Sequence, residues 1–289
     1  MPHHPPSNSI GSSFIELQTV DSTNKYAMGL IHAGMAQHGT VIFTHNQSSG
    51  KGQWGKNWNS EPGLNILLSV IIKPEGLKLT DQFHFSAAIS LAVLDFFKKY
   101  AGDETKIKWP NDLYWRDRKA GGILVESVVR SLPTGQAGSE SSVSNPQSAT
   151  GRLHASIYNQ QSEIGDWQWV VVGIGININQ TKFSDDLPNP VSLKQVTGKD
   201  FEPVDLAKEL CNCLNQQFNL LVSGERVSIL KKYNQHLYRL NEKAKLKKNN
   251  RVFEAVIKGV SQSGKLMTTH SIDEEFGYGE VEWVKEDRN

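Results

Sequence analysis

A carboxylate and an amine on opposite arms of one short hairpin are the side chains in this chain best suited to chemistry. They are Asp112 and Lys119, in the stretch TKIKWPNDLYWRDRKAGGILVE spanning residues 105–126. Thr105 to Trp109 reads as a strand that stops at Pro110, which has no N–H to give a sheet neighbour. Asn111 and Asp112 then face outward at a strand end. Leu113 to Arg116 reads as a second strand, Asp117-Arg118 as a turn and Gly122 to Ser127 as a third strand. Ala120, Gly121 and Gly122 are small enough for a ligand to approach the backbone. Acid, base and bare N–H groups would then share one site. The alternative is a plain surface hairpin carrying a solvated lysine.

Three further stretches could complete such a site. Asp21-Ser22-Thr23-Asn24 opens a helix with four capping-type residues, more than one helix end needs. The surplus could face a pocket at the positive end of the helix, which favours a carboxylate or phosphate. The loop from His45 to Trp58, HNQSSGKGQWGKNW, holds three glycines, Lys51 and Lys56, and tryptophans at 54 and 58. Its glycines expose N–H groups, its lysines suit phosphate and its indoles can cover an apolar ligand. A P-loop is excluded because GxxxxGK[ST] does not occur. Trp167 to Asn179, WQWVVVGIGININ, is a buried strand with a polar end. Gly173 and Gly175 start a dinucleotide fingerprint whose third glycine is missing. Asn177 and Asn179 either read a base edge or simply end the strand.

The elements that must position these groups are legible from pattern. Phe14 to Val20, Thr40 to Thr44 and Leu64 to Lys73 read as strands. Phe83, Ala87, Leu91, Leu94 and Phe97 mark one face of a helix, with Asp81 at its start as the cap. Pro203 to Ser223 and Glu225 to Leu237 read as two more helices. From Tyr238 the pattern changes to short alternating strands, a small antiparallel barrel over residues 238–289. Lys243, Lys245, Lys247, Lys248 and Arg251 belong there to a solvated hairpin without the interleaved aromatics of a nucleic-acid surface. Residues 1–13 read as a disordered tail. Residues 130–159, rich in Ser, Gly, Pro and Gln, read as a disordered insertion in a unit running over 14–237.

Composition sets the outer limits. Thirty-one basic against thirty acidic residues, a net charge of +1, give no general pull toward nucleic acid or anionic membrane. No apolar run approaches the ~20 residues that span a bilayer. The two cysteines, Cys211 and Cys213, are spaced for a helix, not for a staple or a metal pair. That usage fits a reducing cytoplasm.

Taken together, VDSTNKYA, QSSGKGQWGKNW, KWPNDLYWRDRKAGGILVES, VVVGIGININ and the terminal GEVEWV resemble the biotin protein ligases, over nearly the whole chain from Phe14. The resemblance implies an α+β fold, a mixed-sheet catalytic domain followed by an SH3-like barrel. It implies a ligase that joins biotin to MgATP as biotinyl-5′-AMP and passes the biotinyl group to a lysine of a biotin carboxyl carrier domain. By the same resemblance Ser22, Thr23, Asn24, Gln47 and Gly50 bind biotin. Gly122 and Ile123 line that pocket, and Lys51 and Lys119 meet the carboxylate. Lys51, Gln53, Trp54, Lys56, Trp58, Asn111 and Asn177 would contact the nucleotide. Asp112 would hold Mg²⁺, and Lys119, Lys51 and Asp112 would carry the catalysis, as a monomer or homodimer.

Two departures shape the expectation. Bifunctional members carry an N-terminal DNA-binding domain, and the residues ahead of Phe14 are too few for one, so no DNA partner is expected. Gln53 stands where many relatives have arginine, at a position associated with holding the adenylate. A lipoate or octanoyl ligase of the same fold, and a biotin sensor without turnover, are the alternatives. The KWPND stretch speaks against the first, and intact Lys119, Asp112 and Lys51 against the second.

Overall fold

Strand Ile66–Ile72, with the sequence ILLSVII, is buried at every position, and the molecule is layered around it. A run buried at every position fits only a strand covered on both faces. The structure, a computed structural model, describes residues 9–129, 167–185, 187 and 189–284, with the Trp54 side chain excepted. The expected insertion at 130–159 lies outside these residues, as do 1–8 and 285–289.

The described elements run β1 (Ser13–Val20), α1 (Thr23–His32), β2 (Thr40–Gln47), β3 (Ile66–Ile72), α2 (Gln82–Ala101), β4 (Thr105–Lys108), β5 (Asp112–Trp115), β6 (Arg118–Val129) and β7 (Trp167–Ile176). Then follow α3 (Leu193–Thr197), α4 (Pro203–Val222), α5 (Arg226–Gln235) and strands β8 (Lys243–Lys248), β9 (Arg251–Val260), β10 (Leu266–Thr269), β11 (Asp273–Phe276) and β12 (Glu282–Trp283). The first seven strands form one mixed sheet ordered β1-β2-β3-β7-β6-β5-β4. Only β1 and β2 run parallel; the other neighbours are antiparallel.

Alternation along each strand divides the sheet into two faces. Val41, Phe43, Val70, Ile72, Val170 and Val172 pack into the main core with α2 and α4. Ile42, Ile71 and Val171 point the other way, onto Ala27 of α1. Both cysteines lie in α4 and are buried, and burial pushes the Cys211 thiol up to about 12. Among the described residues no helix is long and apolar enough to cross a membrane.

The last five strands form an antiparallel sheet ordered β11-β10-β9-β8-β12, in keeping with an SH3-like barrel. It is fastened to the larger sheet by specific contacts. The Trp109 indole donates to the Gly264 carbonyl at 3.0 Å, and Asn234 of α5 both donates to and accepts from Val260. The lysines expected on a solvated hairpin lie on β8, where Lys243, Lys245 and Lys248 are exposed.

Several boundaries need correction. Residues 9–13 are not a free tail, because Ile10 is buried and its backbone exchanges two 2.8 Å hydrogen bonds with Asn215. Asp81 stands at the start of α2, but its carboxylate makes no cap bond there and instead pairs with Arg226 at 2.7 and 2.9 Å. The turn expected at Asp117-Arg118 is Arg116–Asp117, with Arg116 at φ 51°, so β6 begins at Arg118 and takes in Lys119.

Candidate active site

One row of residues runs straight across five strands: Leu67 opposite Gly175, Gly175 opposite Gly122, Gly122 opposite Asp112, and Asp112 opposite Lys108. Directly opposed residues share a face, so this row lies on the α1 side of the sheet. Two glycines at its centre leave a trough. Trp58 fills it: a Cβ on Gly175 would fall 2.6 Å from the Trp58 ring. A Cβ on Gly122 would meet Asp112, Lys119 and Trp58, all at 3.4–3.5 Å. Three of the expected site residues therefore converge on one glycine.

Lys119 reaches that point because of a β-bulge. The ladder pairs Leu113 with Gly121 but Tyr114 with Lys119, leaving Ala120 as an extra residue. In a regular ladder Lys119 would oppose Trp115 and point to the face away from Asp112, since side chains alternate with a period of two. The bulge reverses this, a common use of bulges beside functional sites. The segment after β7 locks the arrangement. Lys119 N–H donates to the Asn189 carbonyl and Val191 N–H to the Lys119 carbonyl, while Arg118 donates twice to the Pro190 carbonyl. The Lys119 ammonium lies 2.7 Å from Asp112 Oδ1, and both side chains are 30% exposed.

The other end of the row is closed by an aromatic cage. Lys108 donates to Tyr114 Oη at 3.1 Å, and its ammonium lies 4.7, 5.8 and 5.2 Å from the ring centres of Tyr114, Tyr238 and Trp283. Burial pulls the Lys108 ammonium down to about 8, against a partial opposing pull from Asp112. Burial likewise pushes the Tyr238 phenol up to about 12 and raises that of Tyr114.

The second half of the site is buried and polar. Parallel pairing of β1 with β2 brings Val20 opposite Gln47, so the helix start and the glycine-rich loop leave the sheet side by side. Ser48 and Ser49 N–H groups donate back to the Val20 and Asp21 carbonyls. Ser22 is the N-cap residue of α1 but makes no side-chain cap bond, and Thr23 and Asn24 are likewise turned into the protein. Thr23 donates to Gln47 Oε1 through N–H at 2.8 Å and hydroxyl at 3.1 Å. Its hydroxyl also lies 2.7 Å from Ser69, which bonds Asn24 Oδ1, and Asn24 Nδ2 donates to Glu126 at 2.6 Å. A Cβ on Gly173 would stand 2.3 Å from Asn24 Oδ1, so only glycine admits this contact. The surplus of capping residues in the sequence thus has a use other than capping.

The loop between these halves is a small hairpin, with Trp58 N–H donating to Gly50 and Gly52 N–H to Lys56. Gly50 is buried against the Trp58 carbonyl, where a Cβ would stand 2.4 Å away. Lys51 and Lys56 are exposed, and Gln53 reaches the Ile123 carbonyl at 3.4 Å. Asn111 donates to that same carbonyl and keeps its buried Oδ1 without a partner, as the Trp58 indole N–H is also without one. Asn177 and Asn179 each donate one amide N–H, to the Val191 and Phe201 carbonyls respectively. Among the described residues no group of three His, Cys, Asp or Glu could cage a metal ion.

Sequence reasoning passed over Ser69 and Glu126. Both left a signal: Ser69 is the one polar residue in the buried run ILLSVII, and Glu126 interrupts the apolar strand GGILVES. It also passed over 189–191 and the Lys108 cage, which depend on contacts distant in sequence.

A mixed sheet followed by a small antiparallel sheet is a fold shared with solved biotin protein ligases. The Aquifex aeolicus enzyme in complex with biotin and ATP superposes with a TM-score of 0.71 at 20% identity, covering 95% of this chain and 99% of that one. Residues 16–137 match the model of the Biotin/lipoate A/B protein ligase family. A bifunctional ligase/repressor BirA from Bacillus spizizenii is 28% identical over 215 residues, 72% of this chain and 54% of the relative. The biotin–[acetyl-CoA-carboxylase] ligase of Mycobacterium tuberculosis is 32% identical over 122 residues, 40% of this chain and 46% of that one. The chain thus spans about half the length of these curated relatives.

Proposed function

We propose that the chain is an ATP-dependent biotin ligase that forms biotinyl-5′-AMP and transfers the biotinyl group to a lysine of a biotin carboxyl carrier domain. The observation that carries this reading is the convergence of Lys119, Asp112 and Trp58 on Gly122, a few residues of backbone from the buried Thr23–Gln47 pair.

The reaction asks the protein to bring a carboxylate onto an anionic α-phosphate. Biotin's ureido ring takes the buried end, against Ser22, Thr23 and Gln47, because its polar atoms would otherwise be desolvated without partners. Gly122 lines the path toward the carboxylate with the Ile123 backbone beside it, while the Ile123 side chain lies in the main core on the other face. The Lys119 ammonium sits where negative charge is brought together, and Lys51 adds a second positive charge from the loop. A fixed cation there lowers the barrier by meeting charge that is greatest in the transition state. Trp58, seated in the Gly122–Gly175 trough, covers the adenylate and keeps water from the mixed anhydride. Asn111 offers its unpartnered Oδ1 toward the nucleotide side. A Mg²⁺ ion keeps most of its waters and binds through one or two carboxylates plus substrate phosphates. Asp112, a carboxylate beside Lys119, fits that requirement. Bound there, the ion would screen the phosphate charge.

Residues 14–237 form the catalytic part and residues 238–289 the barrel, with a cytoplasmic setting for both. The experiment is incubation of the chain with biotin, MgATP and a carrier domain, followed by detection of biotinylated lysine. Lipoic acid serves as the parallel acyl donor. Biotin transfer that needs ATP supports the reading; transfer of lipoate alone, or of neither, overturns it.

A further inference from the structure

The hydrogen bonds beneath the ureido end run in one direction, and a carboxylate at the far end sets it. Asn24 Nδ2 donates to Glu126 Oε2. The reverse amide orientation would set oxygen against oxygen, so Asn24 Oδ1 is held toward Ser69. An amide oxygen only accepts, and a hydroxyl has one proton, so the Ser69 proton goes to Asn24. Ser69 Oγ is then an acceptor for its other neighbour, Thr23 Oγ1, 2.7 Å away. The Thr23 proton has two acceptors inside the protein, Ser69 Oγ and Gln47 Oε1. Whichever it takes, none is left for a ligand, and Thr23 offers only a lone pair. Gln47 Oε1 is also held by Thr23 N–H, which leaves Gln47 Nε2 as the donor, on the side of Gly50.

We infer that Glu126 is a positioning residue that, through Asn24 and Ser69, fixes the polarity of the pocket so that it offers one acceptor, Thr23 Oγ1, beside one donor, Gln47 Nε2. That pair complements the adjacent N–H and C=O of a cyclic urea. The inference rests on the biotin reading above and extends it: ligand discrimination is set partly by residues that do not touch the ligand. Ser69 and Glu126 lie on different strands, β3 and β6, and Asn24 bridges them across β7 only because Gly173 has no side chain. Glu126 therefore acts at the far end of a chain of three hydrogen bonds.

The test is calorimetric binding of biotin and of 2-iminobiotin, whose imino group offers a donor where the urea has its carbonyl acceptor, to the whole chain without ATP. Glu126→Gln keeps the shape but can donate to Asn24, which lets the amide turn over and frees the direction of every bond beyond it. The expected result is a loss of biotin affinity of about tenfold, the effect of one misdirected buried hydrogen bond. The loss for 2-iminobiotin should be smaller, narrowing the ratio between the two. Glu126→Ala removes the carboxylate altogether, frees the amide to turn over in the same way and should narrow the ratio in the same sense, which keeps the test alive if Glu126→Gln does not fold. An unchanged ratio in the folded variants, whether both affinities fall equally or neither falls, overturns the inference. A wild-type chain that binds no biotin overturns the ligase reading as well, and that arm is read first.

Discussion

The two halves of the site hold their polar groups by opposite means. Asp112 and Lys119 form an ion pair left 30% exposed on the hairpin β5–β6, reached through a bulge and backed by glycine. Thr23, Ser69 and Asn24 are at most 4% exposed, and their bonds end on Glu126. An exposed ion pair contributes only about 0–1 kcal/mol to folding. A buried polar group left without its partner costs about 1–3 kcal/mol. The hairpin can therefore give its charges to chemistry at little cost to the fold, whereas the buried chain holds fold and specificity together. Mutations should separate accordingly: activity lost without stability on one side, stability and selectivity lost together on the other.

The largest effect is expected at the hairpin. Lys119→Ala should slow adenylate formation by about 10²- to 10³-fold, the loss typical of one preorganised charge. Urea unfolding should show less than about 1 kcal/mol of destabilisation, as for an exposed pair.

Ser69→Ala inverts the pattern. It should destabilise the chain by about 1–3 kcal/mol, since Asn24 Oδ1 and Thr23 lose a buried partner. Thermal unfolding reads this directly. A stability equal to wild type would mean that the buried chain is as dispensable to the fold as the surface pair.

The smallest effect concerns Lys108, which joins the site row to the barrel. Its folded value near 8 lies below its ordinary 10.5, so between those values the unfolded chain binds more protons than the folded one. Stability from this group therefore rises with pH across that window, by at most about 1.4 kcal/mol per pH unit, and is lowest and constant below it. Urea midpoints between pH 8 and 9.5 should rise relative to Lys108→Met, which lacks the titration. Parallel curves would show that the cage leaves the lysine as it is in water.

The architecture was largely legible in the sequence because local pattern specifies it. ILLSVII reads as a central strand, the Phe83–Phe97 periodicity as a helix, and the switch near Tyr238 as a new unit. The hairpin was legible in outline, and the glycines at 122 and 175 fit the close approach of Trp58. What was not legible depends on register and on contacts distant in the chain. No local signal distinguishes a regular turn at Asp117-Arg118 from a turn at Arg116–Asp117 followed by a bulge at Ala120. Nor does composition show that Ile10 docks on Asn215, so that the packed chain begins several residues before β1. Ser69 and Glu126 were visible as polar breaks in apolar strands, but their common partner Asn24 joins three separate elements.

The most direct measurement is biotin-dependent exchange of labelled pyrophosphate into ATP, which isolates the first half-reaction from the carrier. The wild-type chain should exchange only when biotin is present and not when lipoic acid replaces it. Lys119→Ala, folded and still binding biotin, should exchange about 10²- to 10³-fold more slowly. Exchange at the wild-type rate in that variant, or exchange indifferent to biotin, would contradict an active site in which the Lys119 ammonium at Gly122 joins a carboxylate to a phosphate.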